Sequence, residues 1–185
     1  MRASTKWWLT IAFVVPMVIT VGGTASRAAA AGGTTCSSSS GTATFKPPLP
    51  VFHSKQKVEP AVTVKGAKSG GCKGGGVTSG TFSSTSKFHA DTNCDIFVAG
   101  KSSPHPPTGT LTTKWNTGKT STTTVTLNAM LGQPTKLRVK GKVTTGVFKG
   151  MKLSATIEFA PKPRDCVSAP LASVAFRLVG KLQIS

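Results

Sequence analysis

Lys136-Leu137-Arg138-Val139-Lys140-Gly141-Lys142-Val143 alternates a cation with a small or apolar residue at every step. Side chains of a β-strand point to opposite faces in turn, so this order makes one greasy face and one charged face. The period is two, not 3.6. The stretch predicts a strand with one wet side, and the residues on either side extend the same pattern.

Downstream, Met151, Leu153, Ala155, Ile157 and Phe159 alternate with Lys152, Ser154, Thr156 and Glu158. The last segment sets Val174, Phe176, Leu178, Gly180, Leu182 and Ile184 against Ser173, Arg177, Lys181 and Gln183. Upstream, Thr123, Val125, Leu127 and Ala129 form a further inward row, preceded by Leu111, Thr113 and Trp115. Threonine, valine and phenylalanine favour strands, and the Gly and Pro clusters fall between the runs. No segment reads as a helix of normal length.

The runs number about eight at regular spacing, which predicts an all-β protein: an antiparallel sandwich or a closed barrel. Closure is favoured, because the long final strand needs a partner on each edge and an open edge invites aggregation. Trp115-Asn116-Thr117-Gly118-Lys119 and Val143-Thr144-Thr145-Gly146-Val147 each place a glycine where a tight hairpin needs positive φ. Phe148 and Met151 are three apart yet both expected inside, so a bulge at Gly150 is expected to restore the register. A weak repeat relates Val64-Lys65-Gly66 with Val77 to Phe82 to Val139-Lys140-Gly141 with Val143 to Phe148, read as two similar hairpin units.

The chain has 185 residues, 23 Lys+Arg against 5 Asp+Glu, three His, four Cys and a formal charge of +18. Length argues for one domain. With so few carboxylates and histidines, the groups that acid/base or metal chemistry needs are nearly absent. We expect no enzyme, no catalytic residues, no cofactor and no metal site.

Residues 1–31 read as a secretory signal peptide: Arg2 and Lys6, an apolar stretch Leu9–Val21, then the small residues Ala28–Ala31, with cleavage expected near Ala30 or Ala31. A membrane anchor is disfavoured, since the apolar run falls short of the ~20 residues of a spanning helix and Pro16 interrupts it. Lipidation at Cys36 is rejected for lack of the expected residues before it. Residues 32–185 then form a single secreted β-domain with no transmembrane span, free in the medium or held at the cell envelope.

Export makes structural disulfides the economical reading of Cys36, Cys72, Cys94 and Cys166. Three pairings are possible, and we expect Cys36 with Cys72 and Cys94 with Cys166. Zinc is the rival, but no Cys-x-x-Cys pair exists and no histidine stands at ligand spacing.

Val64-Lys65-Gly66 through Gly75-Gly76-Val77-Thr78-Ser79-Gly80-Thr81-Phe82, then Gly109-Thr110-Leu111-Thr112 with Lys114-Trp115-Asn116, and Asp165-Cys166-Val167 with Gly180-Lys181-Leu182, resemble a group of small exported actinobacterial β-rich proteins without an assigned activity. The resemblance spans most of residues 32–185. It implies export, disulfides and β architecture, and it brings no catalytic residues.

Three local motifs have bland readings. Gly118-Lys119-Thr120 looks like the end of a phosphate-binding loop, but Thr113 stands where the earlier glycine belongs and a strand follows, so a hairpin turn is expected. Asp91, Asn93 and Asp95 alternate like the start of a calcium loop, but Ile96 and Ser102 replace its glycine and glutamate, so a turning loop is expected. His53, His89 and His105 lie in separate loops; His89 near Asp91 makes a base-and-orienter pair only if a nucleophile joins it.

Charge is the strongest functional signal. Removing Arg2, Lys6 and Arg27 with the leader leaves twenty bases against five acids. Lys136, Arg138, Lys140 and Lys142 share one face, and Lys149, Lys152, Arg177 and Lys181 are expected to extend the patch. Such a field attracts polyanions: an anionic envelope polymer or membrane headgroups. Nucleic acid is not expected, because aromatic residues for base stacking are missing from the basic stretches. The expected function is a secreted, non-catalytic β-domain binding anionic envelope material, and the alternative is a carrier holding a small apolar ligand inside the barrel around Trp115. The oligomeric state is left open.

Overall fold

The computed structural model describes residues 32–51, 53–87, 93–95, 105–160 and 165–185. The expected signal peptide, His89 and Asp91 lie outside the described residues. Among the described residues nine strands follow in order: β1 (Thr34–Cys36), β2 (Ser38–Leu49), β3 (Ala61–Gly70), β4 (Gly80–Lys87), β5 (Thr108–Trp115), β6 (Thr120–Ala129), β7 (Lys136–Gly146), β8 (Lys152–Phe159) and β9 (Leu171–Ile184). A single turn of helix, α1 (Asp165–Ser168), precedes β9.

Each strand from β2 to β9 pairs antiparallel with the next, and β9 returns to pair with β2, so eight strands close into an up-and-down barrel. The reason anticipated for closure holds. Strand β9 pairs with β8 over Phe176–Ile184, while its other edge takes β2 along Leu171–Arg177 and β1 along Leu182–Ile184. Strand β1 is the extra strand; it lets the long β9 finish without an open edge.

Local chemistry places the irregularities. Pro47 and Pro48 fall where β2 loses regular pairing with β9, between Thr44 and Leu49, as expected of residues without an N–H. Gly66, at φ 63°, lies in the bulge between Val64 and Ala67 of β3. Gly41 has a steric role: a Cβ there would lie 2.5 Å from the Ala67 Cβ and 2.9 Å from the Phe176 ring.

The turn at Asn116 forms as anticipated. Gly118 N–H donates to the Trp115 carbonyl and Trp115 N–H to the Lys119 carbonyl, with Gly118 at φ 77°. The second turn comes later than expected. Val143-Thr144-Thr145-Gly146 stays in β7, where Thr144 is an extra residue against β6, because Thr122 faces Thr145 while Thr123 faces Val143. The chain reverses at residues 147–150, so Gly150, at φ 89°, belongs to the turn rather than to a bulge within a strand. The repeat has no structural counterpart: Val77–Phe82 leads into β4, whereas Val143–Phe148 leads out of β7.

The core divides between the two ends of the barrel. At one end Trp115, Phe148, Val143, Leu153 and Ile184 pack with the Cys36–Cys72 disulfide. Phe148 meets Trp115 edge-on, with centroids 5.5 Å apart, and lies over Gly75, where no side chain would fit. At the other end Phe45, Leu49, Phe159, Leu171 and Phe176 pack around the Cys94–Cys166 disulfide. Both expected pairings are therefore present, no thiol is free, and the zinc alternative has no cysteine left to use.

Candidate functional site

Strand β7 turns Lys136, Arg138, Lys140 and Lys142 outward because Leu137, Val139 and Val143 fill the interior. The register sets their neighbours. Lys142 lies directly across from Lys152 of β8, Lys140 from Ser154, Arg138 from Thr156 and Lys136 from Glu158. On the other flank, β6 offers no charge: Thr124, Thr126 and Asn128 face Lys142, Lys140 and Arg138. Lys149 stands exposed on the turn between β7 and β8, at the same end as Lys142 and Lys152.

Glu158 is the one acid on the outer faces of β6, β7 and β8. It is taken. Arg177, opposite it on β9, donates through Nε at 2.9 Å and reaches the same oxygen through a second nitrogen at 2.7 Å. Arg177 therefore belongs to an ion pair rather than to an extended patch of uncompensated cations. Lys181 sits beside Gly180 where β9 is irregular against β8, its register shifting between Ser154 and Thr156. The eight cations expected together thus resolve into a compact group of Lys140, Lys142, Lys149 and Lys152, two further members of the β7 row, one paired arginine and one lysine at an irregularity.

Beside the row, the β6–β7 turn folds back through bonds from Gln133 N–H to Met130 and from Lys136 N–H to Gln133, with Gly132 at φ 69°. It walls a surface groove of about 720 Å³ lined by Thr126, Asn128, Gln133, Arg138 and Lys140 among others. Sequence reading missed this groove, because Asn128 and Gln133 join the cations only through strand register and the fold of one turn. The lysines are not confined to this face: Lys68 and Lys114 flank Thr81 across β3, β4 and β5.

The other motifs are structural where they are described. Gly118-Lys119-Thr120 forms the hairpin. Asn93 Oδ1 accepts from the Asp95 N–H at 2.8 Å, the Asp95 carboxylate accepts from the His53 N–H at 3.0 Å, and Asn93 donates to the Ser54 carbonyl. These bonds tie the β4–β5 connection to the β2–β3 connection beside Cys94, whose own N–H donates to the Pro50 carbonyl. His53 Nδ1 lies 3.7 Å from Asp95, a pairing the sequence did not suggest. Among the described residues no three His, Cys, Asp or Glu side chains gather as metal ligands, and no helix is long and apolar enough to cross a membrane.

Inside the barrel, between the two packed ends, lies a cavity of about 100 Å³. Trp115 lines it while donating its indole N–H to Ser121 Oγ at 2.9 Å. Trp115 is thus a buried core residue that also lines the cavity. Searches against protein-family models, curated proteins and solved structures found no match for the chain.

Proposed function

We propose that the protein is a secreted, non-catalytic β-domain that adheres to anionic cell-envelope material through the outer face of β7 and β8. Two disulfides suit the oxidising compartment that this role requires. One observation carries the reading: Lys142 and Lys152 oppose each other in register, next to Lys140 and Lys149, and the only acid on that face is already held by Arg177. Like charges directly across a sheet repel, and an anion lying over them converts the repulsion into attraction. A barrel wall also keeps these cations at fixed spacing, which suits a polymer of repeating anionic groups.

The test is binding of the purified protein to polyphosphate, and to vesicles of phosphatidylglycerol or of phosphatidylcholine, at low and high salt. Binding to the anionic probes with a steep loss on adding salt supports the reading. Equal binding to neutral vesicles, or binding indifferent to salt, overturns it. Polyphosphate against phosphatidylglycerol distinguishes a polymer from a headgroup surface.

A further inference from the structure

The wall of the interior cavity is mostly hydrocarbon, with its hydroxyls on one side. On the arc from β2 to β5, Ser39, Ser69, Ser84, Ser86 and Thr113 stand among apolar residues such as Phe45, Val64 and Phe82. On the arc from β6 to β9 it is hydrocarbon, as at Val125, Leu153, Ile157 and Leu178. No charged side chain contributes to it.

Four of these hydroxyls are deeply buried, at 7% exposure for Ser39, 6% for Ser69, 9% for Ser86 and 6% for Thr113. Their side chains make no hydrogen bond among the described residues. Of the other buried hydroxyls of the barrel, Ser121 donates to the Val147 carbonyl and Thr34 to the Lys73 carbonyl, while Thr123 makes no side-chain bond among the described residues. A buried hydroxyl without a partner is costly to the fold, so several of them around one empty volume call for an explanation. Packing alone does not require them, since alanine or valine would fill the same strand positions with no polar atom to satisfy.

We infer that the barrel interior is a binding site for a small neutral amphiphile, whose single polar group meets the serine and threonine hydroxyls of the β2–β5 arc while its hydrocarbon body lies against the apolar remainder of the wall. Size sets the class. An apolar protein cavity of ~150 Å³ accepts benzene, so about 100 Å³ suits a molecule smaller than benzene, such as a short alcohol or ketone. Charge sets it too, because an ionised group here would lose its hydration with no countercharge to meet it. Each wall hydroxyl both donates and accepts, so the polar group is read by its position rather than by its hydrogen-bonding sense. This site is independent of the cationic outer face.

The experiment titrates the full-length protein with 2-propanol and, separately, with propane. Methyl NMR shifts of valine, leucine and isoleucine supply both the affinities and the location. Saturable 2-propanol binding several-fold to about tenfold tighter than propane is expected, the worth of one hydrogen bond. The shifted methyls should be those of Val125, Leu153 and Ile157. In Ser39→Ala and Ser86→Ala, each a loss of one oxygen with little effect on packing, the preference for 2-propanol should shrink while propane still binds. No saturable binding, equal affinity for both probes in the unaltered protein, or shifts confined to residues outside the cavity overturns the inference.

Discussion

Cys94 and Cys166 join connections that leave the barrel four strands apart, between β4 and β5 and between β8 and β9, and so bridge one end of a ring of eight. Both are fully buried among Phe45, Leu49 and Leu171. The disulfide is thus a beam across that end as well as a crosslink in the chain. Cys36–Cys72 acts more locally, tying β1 to the β3–β4 connection, where Thr35 and Lys73 also exchange backbone hydrogen bonds.

The two bridges should differ in value. Removing either by paired alanine substitution is expected to cost about 2–5 kcal/mol, as for native disulfides of small secreted domains. Cys94 and Cys166 are separated by 72 positions and Cys36 and Cys72 by 36. Doubling a loop adds about 0.6 kcal/mol of closure entropy, so C94A/C166A should be the more destabilised. Urea unfolding of the two variants checks the order, and a costlier C36A/C72A would assign the stabilisation to local packing instead.

Trp115, Ser121 and Val147 form a buried relay in which the indole N–H donates to the serine and the serine donates to the carbonyl. Ser121→Ala leaves the indole N–H without an acceptor and is expected to cost about 1–3 kcal/mol. Trp115→Phe removes the donor together with part of the edge contact to Phe148. The double variant should be clearly less destabilised than the sum of the two single ones, because the second change removes a group already orphaned by the first. Additive losses in chemical denaturation would mean that the relay contributes nothing as a unit.

How far the barrel can be read from its sequence depends on side-chain contrast. In β7, β8 and β9 leucine, valine and phenylalanine alternate with lysine, arginine and serine, so the inward rows and the strand count follow directly. In β4 the residues Ser83-Ser84-Thr85-Ser86 are polar on both faces, with Ser84 and Ser86 inside and Ser83 and Thr85 outside. The hydroxyls that β4 sends into the cavity were invisible for that reason. The misplaced turn has a different origin: Gly146 does take positive φ, but it does so after the extra residue Thr144 and not at the reversal. Of the charged site, the β7 row was legible, whereas the capture of Arg177 by Glu158 depends on a register between β8 and β9 that a bulge resets.

Gly41 tests the packing of the barrel wall away from the cationic face, at a position whose added methyl would press on Phe176 of the cavity lining. Phe176 reaches across β2 at this position, so Gly41→Ala forces a methyl against the ring and the Ala67 side chain. The expected cost is about 1–3 kcal/mol, as for overpacking in a filled interior. Gly41→Ala combined with Phe176→Leu should recover part of it, measured by thermal unfolding. No recovery would place the strain in the backbone bulge between Ser40 and Ala43.

Lys142→Glu separates the binding role of the cationic face from its structural cost. In the folded barrel this side chain faces Lys152, and replacing a repelling pair by an attracting one should raise Tm by about 1–3 °C. The same change places a carboxylate in the centre of the group formed by Lys140, Lys149 and Lys152, so binding to polyphosphate or phosphatidylglycerol should fall and its salt dependence should flatten. Lys65→Glu, on β3 away from this face, alters net charge by the same amount and serves as the control. Opposite signs in stability and binding for Lys142→Glu, with Lys65→Glu weakening binding far less, would mean that the cations of β7 and β8 are kept at a cost to the fold for the sake of an anionic partner. Equal weakening by both substitutions would show instead that only the overall charge matters, and that this face holds no particular site.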